Sequence, residues 1–192
     1  MTAALDWISN FLYAAILAGV PLLFGTLGEI LTEKAGNINL GVEGMMYMGA
    51  VFGFMGAYYL DSAIATLLFA FLGGLGGALV YAFLTVTLKA NQNVAGLTLT
   101  IFGTGLANLL GTNMINGSDS GAAMVSDAMK AFFRPMDMGA LTAIPYLGKL
   151  LFNHSLFTYL GIVLAIAAGW YLNHTAQGLN LRAGGENPAA AD

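Results

Sequence analysis

Ser62–Leu88 reads SAIATLLFAFLGGLGGALVYAFLTVTL, 27 consecutive residues without a charge. A spanning helix needs ~20 mostly apolar residues, because the hydrocarbon core is ~30 Å thick and each residue rises ~1.5 Å. The stretch is too long for a buried strand and long enough to cross a bilayer. Comparable neutral stretches run from Trp7 to Gly28, Gly44 to Leu60, Ala90 to Ser118 and Leu150 to Leu181. The fold expected is all-α: a polytopic helical membrane protein with about five transmembrane helices. They are expected near 8–28, 41–60, 63–88, 94–111 and 155–173, within one transmembrane domain covering 1–192.

Composition agrees. Hydrophobic residues make up 58% of the 192-residue chain and charged residues only 8%, against ~25% charged in an average soluble domain. Lipid is the solvent such a chain suits. The net charge of −4 offers no basic patch for nucleic acid. The absence of cysteine excludes disulfides and thiolate metal sites. His154 and His174 have no ligand set around them in the sequence, so neither a metal nor a cofactor is expected. The start of the chain carries Asp6 and no Lys or Arg before Trp7, so it lacks the basic region of a cleavable signal. The apolar run that follows reads as a retained helix.

The connectors differ in kind. Asp61-Ser62 is a tight turn and Lys89–Asn93 a short polar one. Residues 112–154 form one long loop, whose portion 128–136 is either a short helix in the headgroup region or an ordinary structured loop. Gly49 and Gly53 read as ordinary glycine richness of a membrane helix. The run Gly73-Gly74-Leu75-Gly76-Gly77 reads as close helix packing. Lys34, Lys89 and Arg182 on one side balance Lys130, Arg134 and Lys149 on the other, so the overall charge count does not orient the chain. The short basic connectors favour a cytoplasmic C-terminus.

Chemistry is concentrated in three places. Between the first two spans, Glu29, Glu33 and Glu43 crowd around Asn37, Asn39 and several glycines. This predicts a broken or re-entrant segment near 29–45, or else a plain interfacial loop. Glu43, just inside the second span, is costly unless paired or solvated. The fourth span opens with Asn91, Gln92 and Asn93 and continues with Thr100, Thr104 and Asn108, which share one helix face. Hydroxyls bonded back to their own helix are the plainer reading. Finally, 178–186 reads as a polar, glycine-rich turn. Asn187 and Pro188 then serve as N-cap and first residue of a new helix, so the chain is expected to continue beyond Asp192. No phosphate-binding loop, Gly-x-Ser-x-Gly or His-Glu-x-x-His motif occurs, so no catalytic residue is expected.

Thr32–Met46 (TEKAGNINLGVEGMM) and Gly178–Asp192 (GLNLRAGGENPAAAD), with a weaker match at Asn91–Leu97, resemble the permease subunits of bacterial ABC importers of the branched-chain amino acid, ribose and nucleoside type. The likeness is closest to the nucleoside or simple-sugar branch. It implies an ATP-driven importer of a small polar solute working by alternating access. The partners implied are an ATP-binding cassette ATPase, a second permease subunit and an extracytoplasmic substrate-binding protein, often a lipoprotein. It implies a coupling loop at 176–192, with Arg182, Gly185, Glu186, Asn187 and Pro188 facing the ATPase. Asn37, Asn39, Glu43, Asn91, Gln92, Asn93, Thr100, Thr104 and Asn108 would border the translocation path. The C-terminus would be cytoplasmic, the N-terminus outside, and 112–154 an outer loop. Gly184 stands where the family usually has an apolar residue such as Val. Family members also continue for several more spans. An ion-gradient-driven transporter or channel, titrating at Glu43, is the alternative.

Overall fold

The computed structural model describes residues 2–118, 121–136, 138–142 and 144–186. Among these the chain is all-helical, without strands. The helices are α1 (Thr2–Lys34), α2 (Val42–Leu60), α3 (Ala63–Ala82), α4 (Gln92–Asn116), α5 (Asp127–Phe132), α6 (Leu147–Phe152), α7 (Leu156–His174) and α8 (Ala176–Glu186). A π-turn, Phe83–Thr87, extends α3. The chain forms two compact units: residues 1–35 with 133–192, and residues 36–132.

Four helical stretches are long and apolar enough to cross a membrane: Ala4–Lys34, Ala63–Thr87, Gln92–Asn116 and Leu156–His174. The second expected span, α2, is not among them. Glu43, three tyrosines and four glycines dilute its 19 residues. Helix ends also differ from expectation. α1 continues to Lys34 because Glu29, Leu31, Glu33 and Lys34 are good helix formers and carry no stop signal. α4 likewise runs on to Asn116, shortening the long loop at its start.

In unit 36–132, α2 packs along α3 and crosses α4, and glycines set the spacing. Gly53 and Gly56 of α2 face Ala70 and Ala65 of α3, while Gly73 and Gly77 of α3 face Met48 and Met45 of α2. Both spaced pairs are therefore packing devices, including Gly49 and Gly53, whose spacing the sequence presented as ordinary. The α2–α4 contact is closer still. A Cβ on Gly44 would overlap the Leu99 carbonyl, and one on Gly103 would overlap the Gly44 carbonyl. Lipid tails are as apolar as Leu, so such van der Waals contact, rather than hydrophobic burial, holds the helices together. At the opposite end of this unit, Asp61 adopts a left-handed conformation (φ 44°) in the α2–α3 turn. There it accepts a hydrogen bond from Ser126 Oγ, which also caps Met129 N of α5. The segment around 128–136 thus begins as one short helix anchored to the α2–α3 turn.

In the other unit, α1 packs against α7, α6 and α8. Gly161 of α7 admits Leu23 and Phe24 of α1. His154 is buried, its Nε2 2.7 Å from the Leu150 carbonyl oxygen and its ring stacked on Tyr13. It is a core histidine beside the start of α7.

The glycine-rich turn expected at 178–186 is instead helix. Thr175 is extended (φ −108°, ψ 147°) and its Oγ1 accepts from Gly178 N at 3.0 Å, an N-cap for α8. Gly178 is there for space, since a Cβ would overlap the Tyr171 carbonyl. Thr175→Ala should cost α8 about 1 kcal/mol and speed exchange of its amides roughly five-fold, as read by hydrogen–deuterium exchange.

Candidate functional site

The break between α1 and α2 is confined to residues 35–41, narrower than the sequence suggests. Gly36 (φ 84°) turns the chain out of α1 in a conformation that glycine adopts freely. The next four residues belong to no helix and lack its backbone ladder, and unpaired backbone in a membrane protein is costly. Side chains satisfy it. Gln92 Oε1 accepts from Ile38 N at 3.0 Å. The Tyr81 hydroxyl lies 2.6 Å from the Ile38 carbonyl oxygen. Thr100 Oγ1 donates to the Leu40 carbonyl at 3.0 Å. Gly41 N donates to Asn39 Oδ1 at 2.9 Å.

The two asparagines are held from the same elements. Asn37 Oδ1 lies 2.8 Å from the Tyr81 hydroxyl, and Asn37 Nδ2 donates to Thr85 Oγ1 at 3.2 Å. Thr85 Oγ1 in turn donates to the Tyr81 carbonyl at 2.9 Å. Asn39 is buried, with Nδ2 3.6 Å from Met45 Sδ. Tyr81 and Thr85 are also buried. The π-turn that begins two residues after Tyr81 includes Thr85, and π-turns in helices recur at functional sites. Gly96 gives the break room: a Cβ there would come within 2.8 Å of Leu40 N.

The expected path residues therefore separate into three groups. Asn37, Asn39, Gln92 and Thr100 come together as the clasp on the break. Asn91 caps α4 through Val94 N at 3.1 Å, and Thr104 bonds back to the Thr100 carbonyl at 2.8 Å. Glu43, Asn93 and Asn108 are exposed, and their side chains make no hydrogen bond or ion pair among the described residues. Sequence reading missed Tyr81 and Thr85. The available signal was two hydroxyls four residues apart on one face of a mostly apolar helix.

At the far end of the chain, α8 is tied to its own unit. Arg182 Nη1 donates to Asn173 Oδ1 at 2.9 Å. Glu186 Oε1 lies 3.6 Å from Lys34 Nζ and 3.9 Å from Arg182 Nε. One carboxylate thus connects the last residue of α1 with α8. Exposed pairs of this kind are worth ~0–1 kcal/mol, so the arrangement orients α8 more than it stabilises it. Gly185 is half-buried within α8. Asn187 and Pro188 lie outside the described residues. No group of three or more His, Cys, Asp or Glu able to hold a metal occurs among the described residues.

Four long apolar helices and the absence of strands among the described residues define a polytopic all-α membrane protein. The chain belongs to the family of permease components of branched-chain amino acid transport systems, whose pattern matches residues 11–192. It is 32% identical over 193 residues to a protein named as a glucose ABC transporter permease of Haloferax volcanii, covering 98% of this chain and 55% of that one. It is 34% identical to the nucleoside ABC transporter permease protein of Lactococcus lactis subsp. cremoris, over 92% of this chain and 56% of the relative. With the guanosine ABC transporter permease protein of Bacillus subtilis the identity is 31%, over 96% of this chain and 58% of the relative. The chain thus spans a little over half the length of these relatives. No solved structure matches it.

Proposed function

We propose that these residues belong to the membrane subunit of an ATP-driven importer that moves a small polar solute, a nucleoside or simple sugar, across the cytoplasmic membrane by alternating access. The family match across residues 11–192 carries this reading, and it favours an ATP-driven system over an ion-gradient-driven one. ATP hydrolysis takes place in a separate cassette ATPase. A second permease subunit completes the path, and an extracytoplasmic binding protein delivers solute. The segment 35–41 lines the route, with Glu43, Asn93 and Asn108 supplying free polar groups. α2 serves as the fifth crossing despite its lower apolarity, because its glycine face lies against α3 and α4 rather than lipid. The C-terminus is cytoplasmic and the N-terminus outside, which places Lys34, Lys89 and Arg182 inside.

In this reading α8 and the residues after it receive the ATPase stroke. Glu186→Ala combined with Arg182→Ala should lower uptake roughly ten-fold, the scale of a typical coupling free energy, while leaving protein level unchanged. The measurement is radiolabelled nucleoside or sugar uptake alongside co-purification with the ATPase. Uptake and complex both at the unsubstituted level would remove α8 from the coupling role.

A further inference from the structure

At the start of α1, a cleft of about 370 Å³ is lined by Asp6, Ser9, Asn10, Pro145, Tyr146 and Lys149. We propose that it binds the headgroup of a zwitterionic phospholipid carrying both a phosphate and an ammonium group.

Three observations lead there. The first is depth. Ala4–Lys34 is a single 31-residue helix whose charges lie only at Asp6 and within residues 29–34, ~46 Å long against a hydrocarbon core of ~30 Å. Its first turns therefore project into the headgroup layer. Trp7 and Phe11, stacked on each other and both exposed, mark the same level, since interfacial Trp sits where lipid tails meet headgroups.

The second is charge. The cleft holds one cation and one anion that do not pair with each other among the described residues. Lys149 Nζ is oriented by Asn10 Oδ1 at 2.6 Å and by the Tyr13 ring, 5.1 Å from its centroid. Those contacts leave donors on the ammonium for a phosphate. Asp6 is exposed, lines the same cleft and lies one helical turn (~5.4 Å) before Asn10, so a carboxylate shares the cleft with the cation and can meet the amine of a headgroup whose phosphate Lys149 holds. A purely anionic headgroup would meet Asp6 as a repulsive neighbour.

The third is construction. The wall opposite α1 is a strained turn. Tyr146 has φ 62° and ψ −55°, and Leu147 N closes onto the Pro145 carbonyl at 2.7 Å. Such backbone persists only where its surroundings hold it. Here the Ser9 hydroxyl reaches the Tyr146 carbonyl at 3.5 Å and Gly148 tucks beneath Thr142.

The test uses the protein reconstituted with phosphatidylethanolamine and phosphatidylglycerol in equal amounts, followed by native mass spectrometry of the lipids it retains. Phosphatidylethanolamine should be retained preferentially. Lys149→Gln and Asp6→Asn should each reduce that preference roughly three- to five-fold, the scale of an exposed charged contact. Asp6→Glu should preserve it, which separates charge from folding. Equal retention of the two lipids, a preference for phosphatidylglycerol, or a preference unchanged in both charge variants would overturn the proposal. Soluble phosphoethanolamine that displaces the lipid at equal concentration would also overturn it, by making the cleft a solute site.

Discussion

Gly44→Leu and Gly103→Leu should each prevent folded protein from accumulating, whereas Gly105→Leu should be tolerated. The first two glycines sit where α2 and α4 touch backbone to backbone, and each Cβ would overlap a carbonyl of the facing helix. Ordinary overpacking costs ~1–3 kcal/mol because side chains can rotate away. A carbonyl held in a helix cannot, so the helices must separate. Separation would pull Gly41 and Leu40 off Gly96 and open the clasp on the break as well. Gly105 lies on the same helix, but a Cβ there meets nothing within 4 Å. It therefore controls for the loss of glycine itself. Size-exclusion profiles and thermal melting of detergent extracts provide the readout. Normal profiles for Gly44→Leu and Gly103→Leu would show that the α2–α4 contact is looser than described.

Tyr81→Phe should leave the protein in the membrane but reduce uptake about ten-fold or more. The ring keeps its packing against Ala95 and Leu99. Only the hydroxyl is lost, which leaves the Ile38 carbonyl and Asn37 Oδ1 without it. Both bonds are part-buried, and a buried acceptor left without its donor costs up to ~1–3 kcal/mol. Because the break has no helical hydrogen bonds to fall back on, that cost falls on the conformation of residues 36–41. Hydrogen exchange at Ile38 should quicken by a similar factor, which separates a loosened break from general unfolding. Unchanged uptake with faster exchange would mean that the clasp is structural and the break lies off the solute path.

The long apolar helices were legible because lipid imposes a compositional rule: a neutral run of sufficient length has few other fates. That rule does not report helix ends. Residues 29–34 are polar yet good helix formers, so α1 outruns its apolar part. Glycine misled in both directions. Gly178, Gly184 and Gly185 looked like a turn, but Gly178 is small so that α8 can sit on Tyr171 and Leu172, and the helix is held by Thr175. Gly49 and Gly53 looked incidental and are packing contacts. At the candidate site, the polar residues of the break stood out by charge and side-chain type. Their partners did not. Tyr81 and Thr85 approach Asn37 only through tertiary packing of α3, 44 and 48 positions along the chain. Which asparagines are occupied and which are free is likewise a property of packing rather than of local sequence.

That α8 meets an ATPase inside the cell is tested most directly by site-specific cross-linking. The chain has no native cysteine, and Ala183 is exposed on α8. In membranes containing the importer, Ala183→Cys carrying a thiol-directed cross-linker should yield an adduct with the ATPase, and Ser62→Cys on the α2–α3 turn should not. An ATPase adduct from Ser62→Cys, with none from Ala183→Cys, would contradict both the coupling role and the orientation of the chain.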